Sequence, residues 1–241
     1  MSGVSGSPTR SAWKKVLLLG DSLTQFGFSK DGAYASLLAD YIQRKCDVIS
    51  RGFSGYNTKW CKVILPDILK EFDPKNIALA TIFLGANDSN LPENVTQHVP
   101  LPDYKQDLKD MVDMMTNFGI PRERIVLISP PACDEKAWRK YCVDNDKIFT
   151  KCNATAGKYA AACEDAANEC GTKSLDFYGN MMKRQNWQEA LNDGLHLSAI
   201  GSDLLFNLLK PIVDQATSDV SMVYPEWKDV DINNLTGCLQ P

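Results

Sequence analysis

Histidine is nearly absent from this chain: His98 and His196 are the two found in 241 residues. That excludes a histidine-rich metal centre, and any chemistry needing an imidazole must use one of this pair. The eight cysteines include no C-x-x-C pair, which argues against a zinc site. Long hydrophobic runs are missing too, since no stretch approaches the roughly 18 apolar residues that cross a bilayer. Nor is there a cluster of lysine and arginine. With a net charge of −4 and scattered basic residues, neither nucleic acid nor an anionic membrane surface is a fitting partner. The opening stretch, "MSGVSGSPTRSAWKK", is small, polar and basic and lacks the apolar centre of a secretory signal. The expectation is a cytoplasmic protein without stable membrane insertion, its cysteines present as thiols. Cys163 and Cys170, about 10 Å apart along a predicted helix, are read as small buried residues.

What is present is a core. Hydrophobic residues make up 44% of the chain, enough for one large α/β domain. Strand-like apolar runs alternate with segments of helical period. "KVLLLG" (15–20), "DVIS" (47–50), "NIALATIFLG" (76–85), "RIVLISPP" (124–131) and "SLDFYG" (174–179) read as strands. Tyr34, Leu37, Leu38, Tyr41 and Ile42 form the first helical stripe. A segment from 57 to 72 is helical, with a bend or break expected near Pro66. Tyr104, Leu108, Met111, Val112, Met115 and Phe118 make the next face, and a long helix is expected over about 144–169. Ile200, Leu204, Leu205, Leu208, Leu209 and Ile212 mark the last. This β-α-β-α order predicts a five-stranded parallel sheet with helices on both faces. One domain, 15–218, is expected between a flexible N-terminal segment, 1–14, and a C-terminal extension, 219–241.

In such sheets, sites form where strands end, at the carboxyl edge. Four short stretches fall there: "GDSLTQ" (20–25), "RGFSGYN" (51–57), "LGANDSN" (84–90) and "DGLHLS" (193–198). Acyl transfer from an ester needs a nucleophile, a base, a group orienting the base, and donors for the oxyanion. Ser22 is placed for a nucleophile at a strand-to-helix turn, its backbone N–H free to donate. His196 suits the base, because an unperturbed imidazole pKa of about 6.5 favours proton transfer at neutral pH. Asp193 can hold the Nδ1 proton. With the Ser22 N–H, Gly55 and Asn87 supply a backbone and a side-chain donor to an oxyanion hole. Each residue alone also fits a simpler role, as a helix cap, a turn glycine or an Asx turn; their joint occurrence favours the chemistry. "GFSGY" (52–56) nearly spells a nucleophile elbow but ends on Tyr56, so Ser54 belongs to a turn. His98 is read as structural or substrate-adjacent.

Together these four stretches resemble, in order and spacing, the blocks of the SGNH (GDSL-type) hydrolase family. That family's serine, glycine, asparagine and histidine fall on Ser22, Gly55, Asn87 and His196, with the orienting aspartate on Asp193. "RGFSGYNTKW", "TIFLGANDS", "DGLHLS" and "QHVPL" are similar to the isoamyl acetate-hydrolysing esterase branch. The resemblance covers about residues 15–215. It implies a flavodoxin-like, three-layer α/β/α fold with strand order 2-1-3-4-5. It also implies hydrolysis of short-chain esters such as acetates through an acyl-enzyme, without cofactor or metal, and a possible homodimer. Phe26, Phe28, Tyr56, Trp60, Leu91, His98 and Leu195 flank the blocks and are candidates for a small substrate pocket. Rival readings are an acyltransferase or a carbohydrate or lipid deacylase on the same residues, and a non-catalytic flavodoxin-like binding module.

Overall fold

The computed structural model of the chain describes residues 13–29 and 33–239. Residues 1–12, most of the segment expected to be flexible, and residues 240–241 of the C-terminal stretch lie outside the described residues. Five strands, β1 (Lys14–Gly20), β2 (Cys46–Gly52), β3 (Ile77–Phe83), β4 (Ile125–Ile128) and β5 (Lys173–Leu175), form one parallel sheet in the order β2-β1-β3-β4-β5. The helices are α1 (Ser22–Gln25), α2 (Tyr34–Tyr41), α3 (Thr58–Leu69), α4 (Leu101–Phe118), α5 (Glu135–Asp144), α6 (Asn153–Cys170), α7 (Phe177–Met182), α8 (Ala199–Ala216) and α9 (Leu235–Cys238).

Alternation along the strands builds two cores. Val16, Leu18, Val126 and Ile128 face one side of the sheet, against Leu38 of α2, Trp138 of α5, Phe177 of α7 and Leu205 of α8. Leu17, Leu19, Ile125 and Leu127 face the other, against Leu65 of α3, Leu108 of α4 and Cys163 of α6. That period of two is the pleat of the strand, and covering both faces gives the three-layer α/β/α sandwich. All of β3 is buried, as its nearly continuous apolar run requires.

Three sequence-based boundaries are corrected. Helix α3 runs unbroken through Pro66. A proline in a helix costs about 3 kcal/mol, whereas burying Leu65, Ile68 and Leu69 around it stabilises by roughly 1.5–3 kcal/mol each, so the packing wins. The long helix expected over about 144–169 starts later, as α6, after a loop at 145–152 that separates it from α5. Asp146 has φ +51°, a left-handed conformation that stops α5. Finally, the expected strand 174–179 keeps only its start. Asp176 accepts a hydrogen bond from the Gly179 N–H (2.7 Å) and caps α7 there.

Register places the site. Gly20 of β1 lies opposite both Gly52 of β2 and Phe83 of β3, so three strands end at one level and their loops leave side by side. Beyond α8 the chain returns to Arg44. There Nη2 donates to the carbonyls of Tyr224 (3.0 Å) and Pro225 (2.6 Å), and Nη1 pairs with Glu226 (2.8 Å). No helix among the described residues is long and apolar enough to cross a membrane, and the described cysteines are all free thiols.

Candidate active site

Asp21, just past β1, accepts the Leu23 N–H on Oδ1 (2.9 Å) and starts α1. Ser22 is thereby the first residue of a helix, where backbone N–H groups have no intrahelical acceptor. It is nearly buried, 5% exposed. Its Oγ lies 3.0 Å from His196 Nε2.

His196 sits on a closed loop between Leu191 and Leu197, which pair as an antiparallel bridge. Within that loop Asp193 does two things. Oδ1 accepts the backbone N–H groups of Leu195 (2.9 Å) and His196 (2.8 Å), while Oδ2 stands 2.6 Å from His196 Nδ1. The carboxylate therefore takes the Nδ1–H and leaves Nε2 as the acceptor facing Ser22. Partial burial pushes Asp193 up, but the hydrogen bond and charge of His196 and the two amides outweigh it and hold the carboxyl below its ordinary range. The turn depends on Gly194, whose φ is +95°. A Cβ there would lie 2.4 Å from the Trp138 N and 2.5 Å from the Asp134 O.

On the opposite wall, Gly55 has φ +83° and Asn87 is nearly buried. One N–H of the Asn87 amide goes to the Tyr56 carbonyl (2.9 Å), which leaves its second donor available. Gln97, given no role by the sequence although it opens "QHVPL", binds both residues: its Nε2 donates to the Gly55 carbonyl (2.9 Å) and reaches Asn87 Oδ1 at 3.4 Å.

Ser22, Gly55, Asn87 and His196 line one cleft of about 580 Å³. A second hollow of about 380 Å³ meets it at Ser22 and His196. Among the seven residues suggested for a pocket, Leu195 lines the first and Phe26 the second, its ring edge-on to His196 at 5.7 Å. The other five line neither. Tyr56 stacks on Phe53 (5.3 Å) and meets Trp60 edge-on (5.4 Å), so both are engaged in an aromatic cluster. Phe28 is 45% exposed. The N–H of Leu91 donates to the Thr150 carbonyl (2.6 Å), and His98 Nδ1 lies 2.6 Å from the Asn90 carbonyl, so these two fasten loops. Ser54 lies in the turn expected of it, at the edge of the cleft.

Residues that sequence reasoning passed over add to the lining, among them Asn90, Trp138, Thr150 and Lys151. The last two come from the 145–152 loop, which the adjacent Asn145 and Asp146, a turn-favouring pair, could have signalled. Beneath the cleft lie two buried carboxyls. Burial pushes Asp21 up to about 7, the Leu23 amide opposing and the Asp88 charge adding. Burial likewise pushes Asp88 up to about 6, against its hydrogen bonds from Thr58. Among the described residues no cluster of three His, Cys, Asp or Glu side chains is arranged to hold a metal ion.

A parallel sheet in an α/β/α sandwich whose carboxyl edge joins a serine hydroxyl, an imidazole and a carboxylate has the arrangement of a serine hydrolase. Residues 18–204 match the model of the GDSL-like lipase/acylhydrolase family, and the chain belongs to that family. It is 46% identical over 231 residues to a Rattus norvegicus protein named isoamyl acetate-hydrolyzing esterase 1 homolog, covering 95% of this chain and 92% of the relative. It is 32% identical over 237 residues to the Saccharomyces cerevisiae isoamyl acetate-hydrolyzing esterase, covering 90% of this chain and 95% of that protein. In fold it is similar to a lipase/acylhydrolase from Enterococcus faecalis, with a TM-score of 0.66 at 22% identity over 87% of this chain and 98% of the other.

Proposed function

We propose that this chain hydrolyses short-chain carboxylic esters, acetates of small alcohols such as isoamyl acetate among them, through an acyl-enzyme on Ser22. The observation that carries this reading is the 3.0 Å contact between Ser22 Oγ and His196 Nε2, backed at 2.6 Å by Asp193. The printed names of the relatives supply the acetate. In this mechanism Ser22 Oγ attacks the ester carbonyl as its proton passes to His196 Nε2, and Asp193 stabilises the imidazolium. The carbonyl electron pair moves onto oxygen. That oxyanion is received by the Ser22 and Gly55 N–H groups and the free donor of Asn87. His196 returns its proton to the departing alcohol, then deprotonates the water that releases the acid. The free thiols suit a cytoplasmic location, which belongs to the same proposal.

The test is a chain-length profile on 4-nitrophenyl esters with the wild type and Ser22→Ala, with and without acceptor alcohols. The acetate to butyrate range should be preferred, and Ser22→Ala should lose turnover while its thermal unfolding is unchanged. Near-normal hydrolysis by that variant overturns the reading, and transfer to the alcohol outpacing hydrolysis would make the protein an acyltransferase.

A further inference from the structure

Lys151 is an unusual resident of this cleft. Lysine is among the residue types least often found fully buried, yet this one is 5% exposed and lines the same wall as Asn87. Its one side-chain hydrogen bond among the described residues runs from Nζ to the Ala86 carbonyl, at 2.5 Å. That carbonyl shares a peptide bond with the N–H of Asn87. Trp138 presents its ring to the same ammonium at 5.9 Å. A purely structural task, fastening the 145–152 loop to the loop after β3, is already performed by neighbouring bonds. The Leu91 N–H reaches the Thr150 carbonyl (2.6 Å), and Thr150 Oγ1 donates to Asn90 Oδ1 (2.8 Å). The ammonium therefore needs another reason to be buried there.

We propose that Lys151 is a positioning residue for ester hydrolysis: fixed on the Ala86 carbonyl, it holds the Ala86–Asn87 segment and places a positive charge behind the oxyanion that Asn87 receives. This inference rests on the proposed roles of Ser22 and Asn87. When the Ser22 Oγ–carbon bond forms and the carbonyl electron pair moves to oxygen, a full negative charge appears at the cleft, where a cation already fixed in place needs no reorganisation to act on it. Lys151 neither accepts nor donates a proton in that step. Burial lowers the lysine to about 8. Around it stand Asp21 at the start of α1, Asp88 after β3, Cys133 after β4 and Cys142 on α5, whose negative forms would favour the ammonium, while His196 lines the same cleft. Above about pH 8 the charge is lost, and the rate should fall with it.

The experiment compares full-length wild type, Lys151→Met and Lys151→Gln on 4-nitrophenyl acetate from pH 6 to 10, with thermal unfolding as the fold check. Methionine removes donor and charge; glutamine keeps a donor for Ala86 but not the charge. The expected result is a kcat lower by roughly 10- to 100-fold in Lys151→Met, smaller than the loss of a direct oxyanion donor, with KM within about threefold. Lys151→Gln should recover part of kcat at most. The wild-type decline above pH 8 should be missing from both variants. Should Lys151→Met fail to fold, Lys151→Gln and its pH profile decide. Full recovery by glutamine, a rise in KM at constant kcat, or an alkaline decline that persists without the lysine overturns the inference. Ser22→Ala runs alongside: retained activity there sinks the nucleophile assignment, whereas inactivity there with unaltered Lys151 variants sinks this inference alone.

Discussion

His196 Nε2 stands 3.0 Å from Ser22 Oγ across 174 residues of chain, and the imidazole is aimed from behind by Asp193 at 2.6 Å. The contact joins the loop before α8 to the first turn after β1. If this is the proton path, disturbing its support should cost rate before it costs stability.

Asp193→Asn is the sharpest disturbance. The asparagine carbonyl oxygen can still accept the Leu195 and His196 amides, so the loop should hold. Its amide, however, donates where the carboxylate accepted, and the imidazole is left in the wrong tautomer. We expect kcat to fall on the order of 10³–10⁴-fold with native circular dichroism. A loss under tenfold would remove Asp193 from the mechanism.

Gln97→Ala tests the other wall. The side chain grips the Gly55 carbonyl at 2.9 Å and reaches Asn87 at 3.4 Å, so its loss frees both proposed oxyanion donors together. Stability should drop by about 1–2 kcal/mol, the cost of an unmade hydrogen bond, and kcat by roughly tenfold with little change in KM. Unchanged steady-state kinetics would show that the two donors hold position without it.

For Asp21→Asn, the sign of the pH effect is the prediction. The native carboxyl titrates at about 7, above its ordinary 3.8, because burial disfavours its charge. Its contribution to stability is therefore complete below about pH 4 and is lost as pH rises through 7. Asparagine can still cap α1 and cannot ionise. Relative to the variant, the wild type should weaken by a few kcal/mol, in order of magnitude, between pH 4 and 8. Urea midpoints that stay parallel over this interval would contradict the raised carboxyl.

Gly194→Ala should damage the site through its backbone. A Cβ at this position would sit 2.4 Å from the Trp138 nitrogen, and neither the left-handed φ nor the start of α5 can yield easily. A loss of about 2–4 kcal/mol in chemical denaturation is expected, from strain and displacement combined. Activity should fall more steeply than stability, as the same loop carries Asp193 and His196. Wild-type stability in this variant would mean that the loop is looser than its contacts imply.

How much of this was legible in the chain differs from residue to residue. Val16 to Leu19 and Ile77 to Phe83 announce buried strands because an apolar run that never alternates suits a sheet covered on both faces. Ile148 and Phe149 give the 145–152 loop an apolar texture inside a helical stretch, which masks the turn signal of Asn145 and the left-handed Asp146. Lys151 carries no sequence signal, since nothing adjacent in sequence reports that a lysine is buried. Gln97 likewise carries no local sign of the two loops it grips.

Local chemistry alone determined the first four strands, the helix start at Asp21, and the residue types able to attack, accept a proton and donate to an oxyanion. Those depend on neighbours a few positions away, where periodicity, capping and turn preference act. Tertiary structure decided which candidates meet: the shared level of Gly20, Gly52 and Phe83, the Ser22–His196 contact, the burial of Lys151, and the gathering of Tyr56 and Trp60 into an aromatic cluster. The physical reason is that these outcomes come from strand register and from packing between distant segments, which no local propensity encodes.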